Sequence, residues 1–212
     1  MYWYPQKLWK GASVGIVGGG PSLRSEHIKK LRACGYRIIG VNDAYQFGVD
    51  IDLCFWGDAK WYFGNEETGH PGHKQRVMEW PGLRVTLAPE CVEEPGVLGL
   101  VRWEGEGFEP PPRLKWYRNS GLSAIALAVH LGAARVVLLG FDGCRLDGKH
   151  NWHDDNVHDV QEDVFANHLR DARTLAFDIA AWPKATPISI WNCSPNSAYD
   201  AFPSIPFEEV LE

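Results

Sequence analysis

The 212 residues are 45% hydrophobic and 23% charged, with a net charge of −6. That balance suits a folded α/β protein long enough to bury a core, and the lack of any long basic run speaks against an extended nucleic-acid-binding face. No apolar run approaches the roughly 20 residues of a membrane span, Met1–Pro5 is no charged-then-apolar leader, and the five scattered cysteines include no C-x-x-C pair, so the expectation is a cytoplasmic protein with reduced thiols.

Residues 1–12 read as an irregular aromatic arm in a chain with ten tryptophans. Ser13–Gly18 is the first strand candidate. It breaks at Gly18-Gly19-Gly20-Pro21, and an amphipathic helix is expected from Ser22 to Ala33, with Leu23, His27, Ile28 and Leu31 on one side. Cys34-Gly35 stops that helix. Tyr36–Val41 is a second strand ending at Asn42-Asp43, and Ile51–Trp56 a third ending at Gly57-Asp58. This order argues for a mostly parallel, Rossmann-like α/β sheet with helices on both faces, in one domain over residues 1–212. About 59–118 reads as an irregular insertion with short strands at Leu83–Leu87 and Val97–Val101. Its Glu104–Pro112 stretch, rich in Gly, Glu and Pro, is either a lid over a site or a plain connector.

Order returns at Asn119-Ser120-Gly121, where Ser120 reads as the N-cap of a helix over Leu122–Leu131 that is apolar nearly all round and therefore buried. Arg135–Leu139 is a strand ending at Gly140-Phe141-Asp142. Val160–Ala181 is a long amphipathic helix, and Pro187–Trp191 a last strand followed by Asn192–Ser197.

In a parallel sheet, ligands sit outside the carboxyl ends of the strands. Gly18, Gly19, Gly20, Pro21, Ser22, Asn42, Asp43 and Asp58 all fall there. Glycines let backbone approach a phosphate, and a helix N-terminus offers free N–H groups, so the Gly turn is a candidate phosphate cradle; a tight turn without a ligand is the alternative. The dinucleotide fingerprint is incomplete because Leu23 stands where its third glycine would be, and no Lys-Ser/Thr pair completes a P-loop. His150, His153 and His158 fit no zinc spacing, whereas Asp142, Asp154 and Asp155, or Asp58, would suit Mg²⁺. One of the histidines could act as a general base. Ser120-Gly121 and Asn196-Ser197 could contact a nucleotide or be ordinary cap and turn residues.

Taken together, Gly18–Leu23, Asn42, Ser120-Gly121, Leu138–Asp142 and Pro195-Asn196-Ser197 resemble a superfamily with two branches. One holds the bacterial CMP-sialic-acid-dependent sialyltransferases with a Rossmann-like, GT-A-variant fold; the other surrounds the archaeal 6-hydroxymethyl-dihydropterin diphosphokinase. The texture of His150–His153 is similar to uncharacterised phage and prophage members, which would place the protein in a host cytoplasm. The resemblance implies that Gly18–Ser22 and Asn42 contact donor phosphate and ribose, and that Ser120-Gly121 and Asn196-Ser197 close around the nucleotide. It further implies that His158, followed five residues on by Asp163, is the base on an acceptor hydroxyl. The expected catalytic set is His158, His153 and Asp142. Gly19 departs from the Asn of the sialyltransferases. The expected activity is glycosyl transfer from a nucleotide-sugar. Mg²⁺-dependent diphosphate transfer, with Asp142, Asp58 and Asp154 as ligands, and a non-catalytic nucleotide-binding module are the alternatives. The oligomeric state, a homo-oligomer included, stays open.

Overall fold

The computed structural model describes residues 2–5, 7–64, 73–153, 162–182 and 187–211, with Glu162 described by its backbone alone. The strands β1 (Ser13–Val17), β2 (Arg37–Val41), β3 (Leu53–Trp56), β4 (Leu83–Thr86), β5 (Val97–Gly99), β8 (Arg135–Leu139) and β9 (Ser189–Asn192) form one parallel sheet in the order β5-β4-β3-β2-β1-β8-β9. Parallel strands are covered on both faces and so read as continuous apolar runs. In β8, Val136 and Leu138 face one core with Val14, Ile16, Ile39 and Phe55, while Val137 and Leu139 face the other with Val17, Ile38 and Trp56. The helices α4 (Ser120–Leu131) and α5 (Glu162–Ala181) cover the first face; α1 (Ser25–Ala33) covers the second through Ile28 and Leu31. The expected α/β, Rossmann-like architecture is therefore what the chain adopts. No helix among the described residues is long and apolar enough to cross a membrane.

Several expectations move. The first helix begins at Ser25, not Ser22: Leu23 N–H donates to Gly20 O at 3.2 Å, closing a separate turn ahead of the helix. The stretch 59–118 holds α2 (Ala59–Phe63), α3 (His73–Glu79) and two strands of the main sheet, β4 and β5. The run Val97–Val101 splits. Leu100 N–H still donates to Thr86 O on β4, but Val101 N–H donates to Pro112 O, and the chain leaves the sheet for a two-stranded ribbon of β6 (Val101–Trp103) and β7 (Arg113–Lys115). The arm covers the β5 edge, with Trp3 N–H donating to Gly99 O at 2.7 Å, which hides backbone that would otherwise template further pairing.

The Glu104–Pro112 connection lies at the C-terminal end of α4. There Phe108 packs its ring 5.4 Å from His130 and 5.8 Å from Trp182. On the same face a buried group anchors α5 to β7: Lys115 Nζ and the Tyr117 hydroxyl each donate to Asp178 Oδ2 at 2.8 Å. Burial, then the Asp178 carboxylate, push the Tyr117 hydroxyl well above its ordinary range.

His130 has a measurable consequence. Burial pulls it from 6.5 to about 4. Unfolding exposes a ring that binds a proton below its ordinary pKa while the folded ring does not, so this residue costs stability as pH falls through 6.5 toward 4. Between pH 6.5 and 5 the loss is about 2 kcal/mol. His130→Phe is expected to flatten that limb of a urea-melt-versus-pH curve; an unchanged limb would show that His130 does not set it.

Candidate functional site

Chain connectivity reverses at β1, which has β2 on one side and β8 on the other. At such a switch point the loops leaving the two strands diverge and open a crevice at their carboxyl ends. A cleft of about 210 Å³ lies there, walled by the glycine turn after β1, Asn42 after β2, the start of α4, Gly140–Cys144 after β8, and the first turns of α5.

The glycine turn is built against the end of β8. Gly18 N–H donates to Leu139 O and Gly20 N–H to Gly140 O, both at 2.8 Å. A Cβ on Gly20 would stand 2.0 Å from Asp142 Oδ2 and 2.6 Å from Gly140 O. The absence of a side chain thus makes room for the protein's own carboxylate. Asp142 is 1% exposed, and its Oδ2 accepts the Ser22 N–H at 3.3 Å. One amide assigned in the sequence to a donor phosphate is therefore taken internally. Burial raises the Asp142 carboxyl above the ordinary range, with the Ser22 hydrogen bonds acting in the opposite sense. Its Oδ1 is buried with no partner. Gly18, Gly19 and Gly20 line the cleft; Pro21 and Ser22 stand outside its wall.

Asn42 lines the cleft with φ +51°, a left-handed backbone that Asn tolerates better than most residues, and its Oδ1 is also buried without a partner. A buried acceptor without a donor costs on the order of 1–3 kcal/mol, so two of them in one cleft are a reason to expect a ligand that supplies donors.

Asp43 lies beyond this wall, with Trp61 Nε1 donating to its Oδ2 at 3.2 Å and His153 Nε2 3.6 Å from the same oxygen. His153 is thereby turned to Asp43, and it is not part of the cleft wall. Asp58 caps α2, its Oδ1 accepting the Lys60 N–H at 2.8 Å, and does not reach the cleft. The N-cap of α4 is Asn119, one residue earlier than expected: its Oδ1 accepts the Leu122 N–H at 3.0 Å. Ser120 is freed from capping. Its Oγ accepts the Gly57 N–H at 3.2 Å, and with Gly121 it lines the cleft. Ser197 is used structurally, donating to Phe141 O at 2.6 Å and accepting from Asn192 Nδ2 and Tyr199 N–H. Asn196 lines a separate cavity beside His27 and Phe207. Neither belongs to the cleft wall, because the hydroxyl that would reach the ligand instead ties the loop after β9 to the end of β8.

The segment that folds over the glycine turn is the loop after β8. Trp152 N–H donates to Gly19 O at 3.0 Å, Trp152 packs on Phe47 at 4.9 Å, and His150 and Asn151 line the cleft. The Glu104–Pro112 stretch is at the other end of α4 and does not cover it. His158, Asp154 and Asp155 lie outside the described residues. Asp163 is exposed on the first turn of α5.

Sequence reading missed His168, Phe165 and Tyr199, which also line the cleft. Phe165 and His168 share one stripe of α5 at i, i+3 spacing, the only signal that could have linked them. Burial lowers the pKa of His168; nearby Asp171 raises it and Arg118 lowers it. Arg118 binds Asp171 through two hydrogen bonds, Nε to Oδ2 at 3.0 Å and Nη2 to Oδ1 at 2.6 Å, tying the segment before Asn119-Ser120 to α5.

No Lys or Arg lines the cleft among the described residues, and no group of three or more His, Cys, Asp or Glu side chains converges there or elsewhere among them. Of the expected Mg²⁺ ligands, Asp142 is in the cleft, Asp58 is outside it, and Asp154 lies outside the described residues.

No protein-family model matches the sequence, and no curated protein matches it. Two solved structures of the sialyltransferase CstII from Campylobacter jejuni do match in shape. The complex with cytidine-5'-monophosphate gives a TM-score of 0.54 at 16% identity over 92% of this chain and 85% of that one. The complex with CMP-3FNeuAc gives 0.52 at 16% identity over 92% and 86%. The chain therefore has a distant sialyltransferase-like fold.

Proposed function

We propose that the chain is a transferase that moves a sugar from a nucleotide-sugar donor, one carrying a single phosphate, to an acceptor hydroxyl. The observation that carries this reading is the make-up of the cleft: two buried, unpartnered acceptors, Asn42 Oδ1 and Asp142 Oδ1, in a wall with no Lys or Arg among the described residues. Unpartnered acceptors suit the hydroxyls and amino groups of a nucleoside. A di- or triphosphate brings several negative charges that this wall, with a carboxyl group in it, does not balance. The fold likeness to CstII, solved with CMP, supports the same reading. For Mg²⁺-dependent diphosphate transfer, the described residues offer no three-ligand group.

His168 is the base in this proposal. It lines the cleft, and burial favours its neutral form, the form that accepts a proton. The acceptor oxygen loses its proton to the imidazole and bonds to the donor carbon, and the phosphate leaves with the electron pair of the broken C–O bond. The Ser120 hydroxyl, which accepts from Gly57 N–H and keeps its own proton to give, stands in the wall where a donor can stabilise that charge.

The test is thermal stabilisation by CMP, UDP, GDP, ADP and ATP, each with and without Mg²⁺. A monophosphate, CMP foremost, is expected to raise the melting temperature by about 5 °C without metal at a hundredfold excess over its Kd. A response confined to ATP with Mg²⁺ would replace this reading by diphosphate transfer, and no response to any nucleotide would remove it.

A further inference from the structure

A second cavity lies at the opposite end of α4 from the donor cleft and plays no part in the reading above. It has a volume of about 290 Å³, close to the lower end of the range for small-ligand pockets. Its walls are apolar and aromatic: Tyr4 from the arm, Pro111 from the connection between β6 and β7, Val129 on α4, and Trp182 just past α5. Phe108 packs behind it on His130 and Trp182, which fixes both rings.

Three features distinguish this cavity from a packing defect. His130 lines it, is 8% exposed, and has a buried Nε2 with no hydrogen-bond partner. Its ring stands at the C-terminal turn of α4, where the helix dipole favours a protonated imidazole, yet burial keeps it neutral. A neutral imidazole has one N–H to give and one lone pair to receive with. Second, among the described residues the only charged side chain in the wall is Lys7, and no Asp or Glu lines it. Third, Lys7 is held at φ +44°, a backbone region uncommon for a residue with a side chain, by a hydrogen bond from its own N–H to Pro5 O at 2.9 Å.

We propose that this cavity is a binding site for a small planar aromatic anion, its ring seated among Tyr4, Trp182 and the prolines, its acid group at Lys7, and a polar edge hydrogen-bonded to His130. Aromatic rings pack on aromatic and proline faces with little loss of freedom, which accounts for the wall. Lys7, with no Asp or Glu beside it among the described wall residues, sets the sign of the ligand's charge. Among the described residues the cavity shares no wall residue with the donor cleft, so it does not depend on the donor reading.

Isothermal titration of the whole chain at pH 7.5 tests this, with indole-3-acetate as the probe and neutral indole and cationic tryptamine as comparators. Indole-3-acetate is expected to bind best and tryptamine worst. Lys7 is exposed, so Lys7→Gln should leave the fold intact and weaken indole-3-acetate by about fivefold, the scale of one partly exposed ion pair, without changing indole. Val129→Trp should fill the cavity and abolish binding of both, and a circular-dichroism melt shows whether that variant is folded. His130→Phe keeps a ring and should weaken indole-3-acetate by removing its hydrogen bond. The proposal is overturned if folded wild-type chain gives no heat with indole-3-acetate, if indole or tryptamine binds as well, or if Lys7→Gln, His130→Phe and a folded Val129→Trp all bind it unchanged.

Discussion

Gly20→Ala is expected to lower the melting temperature by roughly 6–12 °C, corresponding to about 3 kcal/mol, the upper part of what overpacking costs. The methyl group would stand 2.0 Å from Asp142 Oδ2 and 2.6 and 2.9 Å from the carbonyl oxygen and carbon of Gly140. Asp142, 1% exposed, could swing aside only by giving up the Ser22 N–H, and Gly140 O is held by the Gly20 N–H just beyond the β1–β8 pairing. Gly19→Ala is the matched comparison. Its nearest neighbour would be Asn151 Oδ1 at 3.1 Å, which a small side-chain shift relieves. Gly19→Ala should therefore melt within a degree or two of wild type, about the effect of a surface substitution. Equal melting temperatures for the two variants would mean that the glycine turn is not packed on Asp142. The pair also separates fold from ligand: a loss of nucleotide binding in Gly20→Ala reports a damaged turn, whereas a loss in Gly19→Ala reports contact at the open face of the cleft.

His168→Ala is expected to reduce kcat by roughly 10²–10⁴-fold, the range for removing a general base, while leaving stabilisation by nucleotide in place. The matched variant is His158→Ala, since His158 is the position that the family resemblance puts forward. If His158→Ala loses turnover and His168→Ala retains it, the base is His158 and His168 is a wall residue. The pH profile adds a readout that loss of packing would not move. Because burial lowers His168, the acid limb of kcat/KM should lie below the ordinary imidazole value of about 6.5. Asp171 is the neighbour that raises His168, so Asp171→Asn should carry that limb to lower pH still. A limb that stays in place would show that His168 is not the titrating group.

Much of the fold is legible along the chain because it rests on periodicity. The short apolar runs 13–18, 36–41 and 135–139 read as strands buried on both faces, and the longer all-round apolar 122–131 as a buried helix, which the structure bears out. Together with the glycine turn, these established a parallel α/β sheet with its ligand face at the strand ends. Details that depend on competing neighbours were less accessible. Asn119 and Ser120 are both good caps, and sequence has no means of ranking them; the helix took Asn119, and Ser120 Oγ went to Gly57 N–H on another strand end. The run 97–101 is uniformly strand-like, yet its backbone changes partner from Thr86 to Pro112 within one residue step.

The site divides along the same line. Sequence by itself determined that Gly18–Gly20, Asn42, Ser120-Gly121 and Asp142 would stand at the carboxyl ends of strands or the start of a helix. Only the tertiary structure decided which of their polar groups remain available. The Ser22 N–H and Asp142 are 120 residues apart and meet because β1 and β8 are neighbours. Ser197 Oγ is consumed by the main chain after β8, and His168 enters the wall because α5 crosses beside α4. Periodicity is a property of residues close in sequence. Whether a hydrogen bond is spent within the protein or left for a ligand depends on residues brought together by strand order, which no local pattern encodes.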